Sequence, residues 1–533
     1  MYSRFLLPLH ALAEDLIDQL EERKAWFLAG FSILYLAVTG LVASHRPLWN
    51  DELYTLYIAR LHSMTDVWNA LSTGAEQLPP FFYVLTRASL ALFGTSELSL
   101  RLPEVIGFLV MGFCLNRFVS KRAPAAYGFL AMLFPLVTGA YYYATEARPY
   151  GLVLGFSALA LVCWQAATER DGRLVWLVGL VISLAAAISC HYHAVFVFVA
   201  LAFAEAVRCY ILRRLDLRVW AALGLGVAPL LGFLPLIRGA MGYSATFWAK
   251  ARWMSIPEFY YSLLAPTVLP LMALLVLSAV YPTINSSSRR DARDAPGLHP
   301  HELAATLGFM AIPLVAVAFS MLLTGAFTER YALPAVIGCS VIIAFAAYRS
   351  LYDRPAAAAL LTLFLCACFL SLGAKSFANG TMIREANAEA IEFLRTVDMS
   401  DLPIAVSDQH AFTSLGHYAP RDISSRLIYL ADPDKALYHL GHNSVEKGTL
   451  ALLKPWFHLS IEEYDPFLTS GRSFLVYGAS AHFLNWLLPD LITRCRHLEL
   501  KGRHKDSLLF LVTPGKGCEN PAVHSGSALE RPR

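Results

Sequence analysis

Apolar runs about as long as a bilayer is thick decide what this chain can fold into. A hydrocarbon core of ~30 Å is crossed by about 20 helical residues, with roughly 17 to 25 tolerated. Eleven stretches meet that length: 25–44, 102–119, 124–143, 149–168, 174–190, 194–211, 219–237, 260–281, 303–323, 332–348 and 355–373. Backbone polar groups in lipid must bond within their own segment, so runs of this kind predict helices. The expected fold is an all-α polytopic membrane protein of about 11 transmembrane helices. With 56% hydrophobic and 16% charged residues, a soluble globular chain is excluded. The net charge of +3 comes without a basic run carrying interleaved aromatics, so no nucleic acid partner is expected.

One apolar run is read differently. Residues 80–94 number only fifteen and include Arg87, which suits a helix lying along the membrane surface. Counted as a span, it would invert the helices that follow and place Arg117, Lys121 and Arg122 outside, against the positive-inside rule. Without it, basic residues gather at one side. The expected organisation is a cytoplasmic segment at 1–24, a membrane module at 25–373 with its first outer loop at 45–101, and an extracytoplasmic domain at 374–515. A multi-pass protein of the inner (plasma) membrane follows, with a cytoplasmic N-terminus and no trusted cleavage site after the first polar segment.

The C-terminal region alternates strand-like stretches at 403–406, 426–430 and 473–478 with helix-like ones at 387–395 and 481–493. It closes on a hairpin pairing 497–501 with 507–512. A small α/β domain with a partly parallel sheet is expected, followed by a disordered tail at 516–533. Cys495 and Cys518 flank the hairpin. In an oxidising compartment they form a disulfide if the chain ends meet, and stay as free thiols if the tail trails away. The other seven cysteines fall in or beside apolar runs and read as small core residues.

The predicted spans hold almost no ionisable residue near their centres, Glu205 being the nearest exception. Coupled transporters carry such groups at the midplane, so a polyprenyl-linked glycan flippase or exporter is the weaker reading. The acids and bases gather instead at the expected outer face: Asp51, Glu52, Glu76, Glu97, Glu146, Arg148, Lys250, Arg252, Glu329 and Arg330. Structural explanations stand beside a catalytic one. Asp51 suits a helix cap, and Arg330 an interfacial anchor. Glu146 and Arg148 suit an ion pair, His191-Tyr192-His193 a polar helix end, and Lys250 and Arg252 an aromatic belt with Phe247, Trp248 and Trp253.

Three stretches together resemble one family: Trp49-Asn50-Asp51-Glu52, then Pro79-Pro80-Phe81-Phe82-Tyr83 with Arg101-Leu102-Pro103, and Tyr142 through Tyr150 containing Glu146-Ala147-Arg148-Pro149. They look like the GT-C glycosyltransferases, nearest the protein O-mannosyltransferases and lipid A aminoarabinose transferases (glycosyltransferase family 39-like). The resemblance covers roughly residues 25 to 350 and departs at Leu78, where many members have His. It implies an inverting transfer of a hexose or pentose from a polyprenyl-phosphate-sugar lipid donor to a lipid, polysaccharide or protein acceptor outside the cytoplasm. Asp51 takes the role of base, with Glu52 as the lesser partner. Arg330 is the first choice for the donor phosphate, and Lys250 and Arg252 the second. Glu146 faces the first-loop acid, to orient the acceptor or hold a divalent metal ion, although with His191 and His193 the spacing supplies no recognised ligand set. Arg148, Tyr150, Pro80, Tyr83, Arg101, His191 and His193 complete the expected substrate-binding wall. A non-catalytic envelope scaffold is disfavoured because the acids and Arg330 are present. No phosphate-cradling Gly-rich loop supports a nucleotide mechanism.

Overall fold

The computed structural model describes residues 19–169, 173–284, 297–351, 355–397, 399, 401–479, 482–494 and 496–514. Cys495, Cys518, the tail 516–533 and most of 1–24 lie outside the described residues, and so does the disulfide expectation. The chain forms two compact units, Met1–Arg384 and Glu385–Arg533. That division falls later than 374, because the helix Pro355–Thr396 runs on without a break.

Among the described residues, seven helices are long and apolar enough to cross a membrane. They are Lys24–His45, Glu97–Ser120, Tyr150–Ala167, Arg173–Cys190, Tyr192–Leu212, Ser255–Val276 and Ala357–Thr396. Three bent pairs raise the total to ten, with angles of 77° near Thr138, 60° near Phe233 and 48° near Ala311. Pro135, Pro235 and Pro313 lie close to these breaks, where a missing N–H and a ring clash interrupt the helical ladder. All eleven expected stretches are helical; among the described residues seven to ten meet the length of a full span, because three are bent pairs and 332–348 is the helix Ala335–Ser350, only 16 residues long.

Glycine sets the spacing of the central pair. A Cβ on Gly107 would lie 2.6 Å from the Gly151 carbonyl oxygen, and one on Gly155 would collide with the Gly107 carbonyl. The helices Glu97–Ser120 and Tyr150–Ala167 therefore meet backbone to backbone. Near the ends where these helices finish, buried carboxylates tie neighbouring segments together. Glu302 accepts from Arg122 at 2.9 Å, Gln165 at 2.8 Å and the His299 amide at 2.9 Å. Glu205 accepts from Trp164 at 3.1 Å and from Arg208 at 2.9 and 2.7 Å, and Arg208 continues to Asp216 at 2.6 Å.

Before the Glu97–Ser120 helix, the polar loop folds into three short helices, Asn50–Ala59, Met64–Ser72 and Pro80–Phe93. Pro80 occupies the first turn of the last one, where its missing N–H costs nothing, and Gly94 ends it at φ 81°. Its 14 residues give about 21 Å, short of the ~30 Å hydrocarbon core. Arg87 on this helix donates to the Ala59 carbonyl at 3.2 Å and to that of Leu61, closing the end of Asn50–Ala59.

The second unit carries a six-stranded sheet in the order β3-β2-β1-β4-β6-β5. The strands are β1 Ile404–Val406, β2 Leu427–Ala431, β3 Ile461–Glu463, β4 Phe474–Ala479, β5 His497–His504 and β6 Ser507–Thr513. β3, β2, β1 and β4 are parallel, and β6 and β5 add an antiparallel hairpin. Strands β1 and β2 are apolar and buried throughout, and β4 nearly so, as a parallel sheet covered on both faces requires. The three-residue β3 was not expected, and the helix expected at 481–493 is confined to Leu487–Thr493.

Candidate active site

The helix Asn50–Ala59 starts from Trp49, whose amide donates to Glu52 at 3.2 Å, so Asp51 and Glu52 sit side by side in its first turn. Their environments differ sharply. Glu52 is fully buried and receives Arg101 Nε at 2.7 Å, Arg101 Nη2 at 2.6 Å and the Ala147 amide at 2.7 Å. Burial pushes its carboxyl up, but Arg101, Arg46 and the Ala147 amide outweigh this and hold it below the usual carboxylate range. Arg101 spends its other donors on the carbonyls of Ala43, Arg46 and Pro47. Both residues are thus corrected from catalysis and substrate contact to holding the loop: neither has exposed surface to offer a substrate.

Asp51 points elsewhere. Its Oδ2 meets Arg330 Nη1 at 2.8 Å, with side chains 23% and 20% exposed, respectively. Arg330 comes from the turn Glu329–Ala332, far away in sequence, and its guanidinium lies 5.9 Å from the ring centres of Trp49 and Tyr150. Burial opposes its charge, yet Tyr150, Asp51 and Glu146 hold its pKa well above the ordinary value.

Glu146 ends the turn Gly139–Thr145 and is 1% exposed. Trp49 Nε1 donates to its Oε1 at 2.8 Å, while Oε2 is buried with no hydrogen-bond partner among the described residues. Burial raises its carboxyl to about 7, with Arg330 and Arg46 pulling down and Glu52 and Asp51 pushing up. The alternative of a structural ion pair between Glu146 and Arg148 is not what forms: Arg148 makes a two-point bond with Glu76, at 3.1 and 3.0 Å, and reaches the Asp51 carbonyl at 3.4 Å. Glu76, on the loop before Pro79-Pro80, thereby ties that loop to the second motif.

Aromatic rings close the site. His193 stacks on Tyr331 at 3.9 Å and 7°, while His191 packs between Tyr150 at 5.5 Å and Tyr331 at 5.4 Å. Tyr83 is fully buried beside this group, its hydroxyl without a hydrogen-bond partner among the described residues, and Pro80 is half-buried at its helix start. Leu78 is 2% exposed, a packing residue. Lys250 and Arg252 are corrected as well. The Lys250 ammonium bonds the carbonyls of Ser244 and Ala245 in its own loop, and the 64% exposed Arg252 pairs with Glu258. Sequence reasoning missed Glu104, a fully buried acid accepting the Leu152 amide at 2.8 Å in the first turn after the Glu146-to-Pro149 motif. The signal available was a lone acid beside Pro103 in an apolar run. Among the described residues no group of three or more His, Cys, Asp or Glu is gathered to hold a metal ion, and the site acids face guanidinium groups and an indole instead.

This geometry can be set beside known proteins. Residues 77–238 match the profile of the family described as dolichyl-phosphate-mannose-protein mannosyltransferase. ArnT from Cupriavidus metallidurans in its apo state superposes with a TM-score of 0.57 at 12% identity, covering 91% of this chain and 98% of ArnT. The same protein bound to undecaprenyl phosphate gives 0.53 at 12% identity, with the same coverage of both chains. No curated protein matches the chain by sequence. The chain is a multi-pass membrane protein with the GT-C glycosyltransferase fold, as the resemblance in its three motifs implies.

Proposed function

We propose that this chain is an inverting glycosyltransferase that moves a sugar from a polyprenyl-phosphate donor to an acceptor hydroxyl at the extracytoplasmic face, with Asp51 as base and Arg330 as phosphate clamp. One observation carries the assignment of roles: Asp51 is the partly exposed carboxylate of the group, while Glu52, Glu76 and Glu146 are buried and held by Arg101, Arg148 and Trp49. Undecaprenyl phosphate bound to ArnT, a protein of the same fold, supports a lipid-phosphate donor.

The donor phosphate takes the place of Asp51 on Arg330, whose planar fork matches phosphate oxygens at two points. Asp51, no longer paired with Arg330, then serves as the proton acceptor. The acceptor oxygen attacks the anomeric carbon, its proton passes to Asp51, and the bond from that carbon to the phosphate oxygen breaks with its electron pair leaving on the polyprenyl phosphate. Arg330 stabilises the charge that develops there. Arg148 and Glu76 neutralise each other and keep the backbone at Asp51 in place.

A strain lacking the gene tests this. Mass spectrometry of its polyprenyl-phosphate sugars and envelope glycans is expected to show one accumulated donor and one missing modification, restored by the wild-type chain and not by Asp51→Asn. Full restoration by Asp51→Asn refutes the base. Arg330→Ala is expected to weaken binding of undecaprenyl phosphate, with Arg330→Lys recovering only part, because a point charge lacks the two-point contact.

A further inference from the structure

A cavity lies beside the turn that carries Glu329 and Arg330. It has a volume of about 250 Å³ and is lined by Gly139, Tyr142, Tyr143, Phe259, Ser262, Leu263, Glu329 and Leu333. We propose that this cavity holds the sugar ring of the lipid donor, with Tyr142 and Tyr143 against the ring and the Glu329 carboxylate accepting from its hydroxyls. The proposal rests on the reading of Arg330 as the clamp for the donor phosphate.

Position is the first argument. Glu329 and Arg330 are consecutive in one tight turn, so a carboxylate and a guanidinium serve neighbouring spaces. Tyr143 packs on Tyr150 at 5.1 Å, and Arg330 lies 5.9 Å from that same ring. A sugar is one bond from its phosphate, so a phosphate on Arg330 delivers the ring to this side. Size agrees, since sites for whole drug-sized ligands run to about 300–1,000 Å³ and this one suits a single ring.

Chemistry is the second. Glu329 is exposed and makes no hydrogen bond or ion pair among the described residues, and a carboxylate offers only acceptor sites, which suits sugar hydroxyls. Ser262 is exposed and adds a hydroxyl that both donates and accepts. The aromatic wall is built to stay in place. Tyr142 and Tyr143 meet edge to face at 5.4 Å and 90°, and the Arg46 guanidinium covers Tyr142 at 4.7 Å while bonding the Thr145 carbonyl at 2.8 Å. Gly139 lets this turn approach closely, because a Cβ there would lie 2.6 Å from the Ser262 carbonyl oxygen.

Phe259, Leu263 and Leu333 make the first isoprene units of the lipid the competing occupant, and the experiment separates the two. Wild type, Tyr142→Ala, Tyr142→Phe and Glu329→Gln in nanodiscs are titrated with bare undecaprenyl phosphate and with undecaprenyl phosphate carrying mannose, glucose or arabinose. Wild type is expected to prefer at least one sugar-bearing lipid over the bare one. Glu329→Gln loses about tenfold or more of that preference, the scale of one hydrogen bond to a charged group, and Tyr142→Ala loses it through the missing ring surface, with bare-lipid affinity unchanged in both. Tyr142→Phe, which keeps the ring, retains it. Equal weakening toward bare and sugar-bearing lipid assigns the cavity to the prenyl chain and overturns the proposal, as does full preference in both variants. Wild type binding no undecaprenyl phosphate at all overturns the proposed function itself, and this inference with it.

Discussion

The two ends of the central helices carry buried charge in two different ways. Where Glu97–Ser120 and Tyr150–Ala167 finish, both oxygens of Glu302 and both of Glu205 are bonded, by Arg122, Gln165 and His299 in one case and by Trp164, Arg208 and Cys209 in the other. Where the same helices begin, Asp51 and Arg330 remain partly exposed, and the Glu146 Oε2, the Tyr83 hydroxyl and the Arg148 Nε have no hydrogen-bond partner among the described residues. A buried polar atom left unpaired costs free energy. The charges at the finishing end leave Arg173 Nε unpaired among the described residues but no carboxylate oxygen, whereas an open buried carboxylate oxygen such as Glu146 Oε2 suits a site shaped around another molecule.

Four measurements break or sharpen this contrast, from the largest expected effect to the smallest. Asp51→Asn should lower transfer by ~10²- to 10⁴-fold, the usual range for a general base, while the unfolding temperature in detergent barely moves. A large fall in stability instead would put Asp51 with the locking charges. Glu205→Ala should do the reverse, costing about 3–5 kcal/mol of stability, as breaking a buried pair does, while the folded fraction turns over normally; thermal unfolding and single-turnover assays decide. Glu146 gives a pH test. Its carboxyl titrates at about 7 in the fold but near ~4.3 when unfolded, so between these values the native state binds more protons than the unfolded one. Stability should therefore fall as pH rises from about 4.3 to about 7, and Glu146→Gln should flatten that slope. An unchanged slope would mean that another group titrates there. Arg252→Ala should shift stability by less than about 0.5 kcal/mol and leave lipid binding intact, as expected for an exposed pair; a clear loss of lipid affinity would return Arg252 to the site.

The sequence made the helical class legible because span length is a physical limit that composition cannot disguise. It also marked the loops whose charged residues the fold gathers: Asp51, Glu146, Arg148 and Arg330, spread over 280 positions, come together. What it could not show was partner choice. Only the family resemblance ranks Asp51 above its neighbour Glu52 until the fold gives Arg330 to the one and Arg101 to the other. Arg148 likewise has Glu146 two positions away, yet a two-residue step before a helix turns the side chains apart and Glu76 receives it. Bends were illegible for a related reason. Hydropathy averages over 124–143, 219–237 and 303–323 pass for single spans, and the interruptions depend on how a few prolines are accommodated.

The contact among Gly107, Gly151 and Gly155 bears on how the protein meets bilayers of different thickness. A helix answers hydrophobic mismatch by tilting or bending, at a modest cost per ångström. Two helices joined along their backbones tilt as one body, and this pair carries Arg101 at one helix start and Arg148 just before the other. The spacing between the lock on Glu52 and the arm that holds Glu76 is therefore fixed whatever the thickness. Adjustment is left to the jointed segments, above all Leu217–Gly232 with Leu234–Thr246, whose 60° bend contains Pro235.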